Sequence, residues 1–481
     1  MYLSNRLNVL TFLAAFAGIV ALSPHLHAAS TASDSEPKIK NVLFIVSDDL
    51  KASVLGCYGN KICKTPNIDK LARGAMVFNR AYCQGMSCAP SRKSFMFSRY
   101  QDTKGINLGE HFKNNGWYSA RVGKIYHMRV PGDIIAGTDG LDVVSSWTER
   151  YNSQGKEAHT PGAYACLNLN VFTDKLEGRE STAMPNRMFV SVSYKGDGSD
   201  QPDHATATKT MELLRKHKDK PFFIAAGLVR PHYPNVAPEQ YFEPYRWQDI
   251  ALPELVDNDI NDIPKFGRPG TMNSSNPIGK YPDNQKRMWA AYYATVTFMD
   301  EQVGRIINEL DRLDLRKNTA IVLLSDHGYH LGEHTFWQKS NLHEEVVRVP
   351  LIISIPGMKP GKTDAITELI DIYPTLTQLA GLSIPPDVQG KSFLPVLKNP
   401  AASIKTGALS FHHGVALREE YFAYMRYTDG TEELYDMKKD PLQFTNQAPN
   451  PTYYKNLNLM QKKLTTRIKE TGIAFDEKET N

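Results

Sequence analysis

Short apolar runs alternate with longer helical periodicities along most of the chain. Residues 41–46 (NVLFIV) form an unbroken apolar run that stops at Ser47-Asp48-Asp49. Thr65-Pro66-Asn67 then opens a predicted helix with Ile68, Leu71, Ala72 and Ala75 on one face. A second helix is predicted over 108–114, stopped by Asn115-Gly116, and a strand over 117–122 that ends at Gly123-Lys124. Residues 205–217 are amphipathic, and Pro221 leads into a predicted strand at 222–228. A long helical stretch at 286–313 precedes a strand at 319–324, which ends in Ser325-Asp326-His327-Gly328. Continuous apolar strands between helices predict an α/β fold, a large mixed or mostly parallel sheet sandwiched by helices.

The C-terminal part reads differently. Residues 371–381 (DIYPTLTQLAG) predict a helix closing the main domain. Beyond residue 400 come strand-like runs at 408–411 and 421–427 and a last helix at 453–471. This predicts a catalytic domain over 38–400 and a smaller α/β subdomain over 401–481. His412 and His413 in that part are read as exposed histidines, with substrate contact as the alternative.

At the other end, Arg6, an apolar run at 9–22 and the small residues of His27-Ala28-Ala29 predict a secretory signal over 1–28. The run is short for a membrane span, and no other stretch approaches it in length. The expectation is a periplasmic or secreted protein without a membrane span in its mature chain; a leader that is never cleaved is the alternative. A hydrophobic content of 41% supports a large core, and a net charge of +4 is too mild to argue for nucleic acid. Export permits disulfides. The five cysteines, Cys57, Cys63, Cys83, Cys88 and Cys166, are odd in number and contain no CxxC pair. They form neither a disulfide framework nor a structural zinc site.

Four predicted strands end in polar groups: Asp48-Asp49, Lys124, Arg230 with His232, and Asp326-His327. Ligands of parallel sheets bind beyond the carboxyl ends of the strands. Adjacent carboxylates repel unless a cation lies between them. With Asp326 they suit a hard divalent ion, and the number of carboxylates favours Ca2+; His127, His232 and His327 keep a transition metal open. Arg92, Lys124, Arg230 and Lys339 add cations, which together with a metal describe a pocket for sulfate, phosphate or phosphonate. Cys88, in Cys88-Ala89-Pro90-Ser91-Arg92, has four readings on its own: disulfide partner, buried filler, thiol nucleophile, or precursor of another group.

NVLFIVSDD, CAPSR, GKIYH, RPHYP and SDHGYHLGEHTFWQK together resemble the type I sulfatases of the alkaline phosphatase superfamily, and among them the iduronate-2-sulfatase-like branch. The likeness extends to ELYDMKKDP near residue 441. It implies that Cys88 is oxidised by a maturation enzyme to formylglycine and hydrated to a gem-diol. One hydroxyl attacks sulfur; the other, once deprotonated, reforms the aldehyde and expels sulfate. The resemblance further implies that Asp48, Asp49, Asp326, His327 and residue 88 hold one Ca2+. Arg92 orients residue 88, and Lys124 and Lys339 neutralise the sulfate. His127 acts as base and His232 as acid, roles that could be exchanged. Pro90 falls near the first turn of a helix, whose free N–H groups would favour an anion. Four cysteines remain that could pair. Met96-Phe97-Ser98-Arg99 departs from the Leu-Thr-Gly-Arg that usually follows the family's cysteine motif. The implied substrate is a sulfated sugar or polysaccharide, from glycosaminoglycan or an algal polymer such as ulvan. The competing functions are a phosphodiester or phosphonate monoester hydrolase of the same superfamily, and a non-catalytic exported glycan-binding protein.

Overall fold

The structure, a computed structural model, describes residues 39–179, 186–271 and 276–475; the predicted signal at 1–28 lies outside them. Its centre is the strand Asn41–Asp48, buried at every position. It lies fifth in an eight-stranded sheet ordered Gly361–Thr363, Met76–Phe78, Leu351–Ser354, Thr319–Ser325, Asn41–Asp48, Phe222–Pro231, Tyr118–Gly123, Glu149–Tyr151. The central strand runs parallel to both neighbours, Phe44 pairing with Val322 on one side and Ala225 on the other. Successive side chains on a strand point to opposite faces. Leu43 and Ile45 accordingly join the core under the helices Pro66–Arg73, Pro202–His217 and Pro282–Arg312, while Val42, Phe44 and Val46 join the core under Cys88–Phe97, Leu108–Asn114 and Ile372–Leu379.

The sheet is mixed. Leu351–Ser354 runs antiparallel to Thr319–Ser325, and Met76–Phe78 antiparallel to it in turn. A parallel return needs a long crossover, usually a helix. Residues 326–350 are committed to the segment that carries His327 and Lys339, whose only α-helix among the described residues is the 4-residue Glu344–Val347. The chain therefore re-enters the sheet in the opposite direction.

The smaller C-terminal part is a four-stranded antiparallel sheet, Gly407–Phe411, Gly414–Glu419, Phe422–Tyr427 and Glu432–Asp436, paired in chain order. The helix Tyr454–Thr471 packs Leu457, Met460 and Leu464 against Leu409, Leu417, Tyr424 and Leu434. This sheet grips the segment leading into Cys88. Ser410 Oγ donates to the Cys83 carbonyl at 2.6 Å, and the Phe411 N–H donates to the Gln84 carbonyl at 2.9 Å. Gly85 follows; a Cβ there would lie 2.6 Å from the Ser91 nitrogen, so only glycine lets the segment lie against the start of the Cys88 helix.

Candidate active site

Asp48 ends the central strand, and adjacent strand residues would normally face opposite ways. Here the pairing with Phe222–Pro231 shifts register between Val46 and Asp48, and Asp49 turns left-handed at φ 64°. That turn is held from two sides: the Asp49 N–H donates to Asp326 Oδ1 at 3.2 Å, and Tyr292 OH donates to the Asp49 carbonyl. Both carboxylates thus reach one cluster, in which Asp48, Asp49, Cys88 and His327 each place a ligand atom within 4.8 Å of the others.

Cys88 is the first residue of its helix, and Arg92 follows four residues later on the same side. Cys88 Sγ lies 3.3 Å from Asp48 Oδ1, 3.3 Å from Lys339 Nζ and 4.0 Å from Lys124 Nζ. The two lysines contact different carboxylates, Lys124 on Asp48 and Lys339 on Asp49. The fully buried Arg92 spreads its fork over three segments: Nε to Asp326 Oδ2 at 2.8 Å, NH2 to Asp48 Oδ1 at 3.2 Å, and NH1 to the carbonyls of Lys124 and, at 3.0 Å, Ile125. Ser91 Oγ donates to the Asp326 carbonyl, tying the helix to the end of the Thr319 strand. Gln338 and Ser340, on either side of Lys339, are both left-handed, at φ 77° and 78°.

The histidines are oriented by backbone. His232 Nδ1 lies 2.6 Å from the Tyr233 carbonyl, so Nδ1 donates and Nε2 faces Asp49 Oδ2 at 3.7 Å. His327 repeats this, with Nδ1 donating to the Gly328 carbonyl at 3.0 Å. Its Nε2 and Asp49 Oδ2 are buried without a hydrogen-bond partner. Two carboxylates, an imidazole lone pair turned inward and residue 88 form a donor set that fits a divalent ion. Asp326 adjoins these four: Oδ2 takes the Arg92 bond and lies 3.5 Å from His327 Nε2, and Oδ1 accepts from two backbone N–H groups.

The electrostatics divide the two aspartates. Burial opposes charge on Asp48, but Lys124, His232 and Arg92 outweigh it and hold that carboxyl well below the usual range. Burial dominates at Asp49 despite Lys339, and pushes it up to about 7. Two neighbouring acids whose proton affinities separate in this way are relieved by a cation. Burial would lower His327, yet Asp326 keeps it up at about 9, so without an ion Nε2 holds a proton, which a cation bound there would displace to free the lone pair. His232 is held well below its ordinary value by burial, against the pull of Asp48. His127, half-buried at the rim with Nδ1 unpartnered, is pushed down to about 4 by burial and Lys124.

The sequence-derived residues therefore converge, with Asp48, Asp49, Cys88, Arg92, Lys124, His232, Asp326, His327 and Lys339 in one buried network and His127 at its edge. Arg230 does not join them. Its guanidinium pairs with buried Glu157 at 2.9 Å and bonds the Val236 and His232 carbonyls, so it props the His232 loop from behind. All five cysteines are free thiols, and the four beyond Cys88 form no disulfide. Tyr292 supports the site without any signal in the chain's pattern, whereas Ser91 lies within the Cys88–Arg92 motif. A cavity of about 680 Å³ opens beside Lys339 and is also lined by His412 and His413. No helix among the described residues is long and apolar enough to cross a membrane.

A parallel-centred α/β sheet carries paired carboxylates, cations and a cysteine-headed helix at its carboxyl edge, an arrangement suited to hydrolysis of an oxyanion ester. The Sulfatase family profile matches residues 40–382, and the profile described as N-sulphoglucosamine sulphohydrolase, C-terminal, matches 332–470. The chain is 32% identical to human iduronate 2-sulfatase over 76% of this chain and 73% of the human protein. It is 31% identical to a Formosa agariphila sulfatase over 85% of this chain and 83% of that one. Among solved structures, a phosphonate monoester hydrolase from Silicibacter pomeroyi shares the fold at TM-score 0.73 and 22% identity, covering 90% of this chain and 95% of that one. The chain belongs to the sulfatase family and is a sulfuric ester hydrolase.

Proposed function

We propose that this sulfatase cleaves sulfate esters of a sulfated sugar through formylglycine at position 88, with Ca2+ held by Asp48, Asp49, His327 and residue 88 and with Asp326 completing the set. The Cys88 Sγ position stands for one oxygen of the hydrated aldehyde. A divalent ion bound there would make that hydroxyl more acidic and screen the charge of the ester.

The chain's own residues do the rest. Arg92 fixes Asp48 and Asp326 and, through them, the head of the Cys88 helix. Lys124 and Lys339, at 4.0 and 3.3 Å from Sγ, are placed to take sulfate oxygens as charge builds on them. His232 gives a proton to the departing alcohol. It rests neutral, because burial holds its proton affinity down. The negative ester beside Nε2 raises that affinity, so protonation accompanies substrate binding. His127, also neutral at rest, takes the proton of the remaining hydroxyl of residue 88 as sulfate leaves.

The observation that carries this reading is the buried network, in which eight side chains from six segments of the chain gather around residue 88. The likeness to human iduronate 2-sulfatase and to an ulvan-active sulfatase of Formosa agariphila supports a uronic-acid-containing glycan as substrate. The leader-like residues 1–28 support export, and a maturation enzyme acting on Cys88 before folding is the implied partner. The test is sulfate release from defined sulfated oligosaccharides by matured protein, beside phosphate and phosphonate esters of the same alcohols. Preferential sulfate release supports the reading; faster phosphonate or phosphodiester cleavage contradicts it.

A further inference from the structure

The cavity beside Lys339 has a chemistry that sulfate cleavage alone does not require. Its walls include Lys265, Phe266, Arg268, Lys339, His412 and His413, and among the described residues no acidic one lines it. The contrast is with the cavity of about 300 Å³ near Trp289, which is lined by Glu254, Glu333, Glu344 and Glu345 and would repel an anion. Lys265 and Arg268 have no carboxylate partner among the described residues. Arg268 uses one edge only: Nε donates to the Ile263 carbonyl at 2.8 Å, which fixes the guanidinium and leaves its two terminal nitrogens without a protein acceptor among the described residues. A guanidinium held this way suits two parallel bonds to a planar oxyanion.

Contacts also join the walls of the cavity to one another. The Phe266 and His413 rings stack at 5.2 Å and 20°, joining the 265–271 loop to the hairpin turn of the C-terminal sheet. His413 sits left-handed at φ 49°, with its carbonyl accepting from the Thr428 N–H at 3.0 Å. Thr271 Oγ1 donates to the Trp337 carbonyl at 2.6 Å, which ties the loop to the strand that delivers Lys339. Lys339 is the shared wall. Its Nζ lies 3.3 Å from Cys88 Sγ, so an ester held at residue 88 places the adjoining part of its sugar at this cavity.

We propose that this cavity binds a second anionic group of the substrate, a carboxylate or a second sulfate on the sulfated glycan, and that Arg268, with Lys265, selects for it. This rests on the sulfatase reading above and assigns recognition of the glycan's second acidic group to named residues of this chain. A neutral monosulfated sugar leaves two cations unanswered at the cavity; a sulfated uronate or a disulfated sugar answers them.

The test measures kcat and KM for matured wild type, Arg268→Ala and Lys265→Ala on matched substrates: a sulfated uronate saccharide, its carboxyl-reduced counterpart, and a disulfated neutral saccharide. Arg268→Ala is expected to raise KM on the anion-bearing substrates about tenfold more than on the carboxyl-reduced one, the loss of a charge-assisted pair. The uronate and disulfate arms show which anion is preferred. An equal change on all three substrates, or none, overturns the proposal. A second readout needs no turnover: calorimetric binding of the desulfated uronate oligosaccharide to protein retaining the Cys88 thiol. Binding that weakens in Arg268→Ala upholds the anion subsite even if no sulfate ester is cleaved, in which case the sulfatase reading fails separately. No binding by wild type, or binding indifferent to Arg268, overturns the subsite.

Discussion

Replacing Arg92 with alanine isolates the part of the network that organises everything else. The side chain is fully buried and makes four contacts, to Asp326, to Asp48 and to two backbone carbonyls. Asp48 would keep Lys124, but Asp326 Oδ2 would be left with only His327 Nε2 at 3.5 Å. Removing one partner of a buried ion pair costs about 3–5 kcal/mol, because the other charge stays buried and unanswered. For a chain of 481 residues, an unfolding entropy near 2.1 cal/mol/K per residue gives roughly 1 kcal/mol per degree, so the expected fall in Tm is about 3–5 °C. Arg92→Lys keeps the charge but cannot span three segments, and should lie between wild type and Arg92→Ala. Turnover should fall about 100-fold in Arg92→Ala, since Asp48 Oδ1 is 3.3 Å from Sγ and shifts with the loss of its clamp. The assay is differential scanning calorimetry at one fixed scan rate, with sulfate release on the same samples. A Tm within about 1 °C of wild type, or an Arg92→Lys enzyme indistinguishable from wild type, would refute this account of the clamp.

Exhaustive chelation should abolish sulfate release and also lower Tm, because an ion bound only by the native state stabilises it; added Ca2+ should restore both better than Zn2+, and full activity after chelation would count against the metal role. The acid limb of kcat, which contains the sulfate-release step given to His127, should centre near pH 4, where His127 is held by burial and Lys124, and not near its ordinary value of about 6.5. His127 must be neutral to accept a proton, so activity is lost as pH falls through that value, and His127→Gln should remove the limb along with most of the rate. The same depressed value works on stability in the same direction: its contribution is complete above about 6.5 and is lost as pH falls toward 4.

The core of the fold was legible because its strands are continuous apolar runs and its helices carry clear stops. The predicted helix over 108–114 coincides with Leu108–Asn114, where the Asn107 side chain caps the start by accepting from the Glu110 N–H. The central strand runs two residues beyond its prediction, to Asp48, because buried carboxylates and not a turn end it. The antiparallel Leu351–Ser354 was not legible, since strand direction depends on how the Lys339 loop returns and leaves no local mark. Neither was the small sheet of Asn235–Pro238, Val190–Tyr194, Ala163–Cys166 and Val171–Thr173, whose strands of 3 to 5 residues are too short for a period to show. At the site, the acids and cations at strand ends could be read from position, but Arg230 shows the limit of that rule. Its neighbour His232 faces Asp49 while Arg230 turns to Glu157, a residue far away in sequence with no motif around it. The left-handed turn that swings Asp49 toward Asp48 is likewise imposed from a distance, by Asp326 and Tyr292.

The central claim is that residue 88 acts as an aldehyde made from a thiol. It is tested by measuring, on one set of preparations with graded maturation, the mass of the residue-88 peptide and the rate of sulfate release. The aldehyde form is about 18 Da lighter than cysteine. The rate should rise in proportion to the lighter fraction and vanish in Cys88→Ser, whose circular dichroism should match wild type. Full sulfate release from protein in which position 88 is entirely thiol or serine would contradict the account.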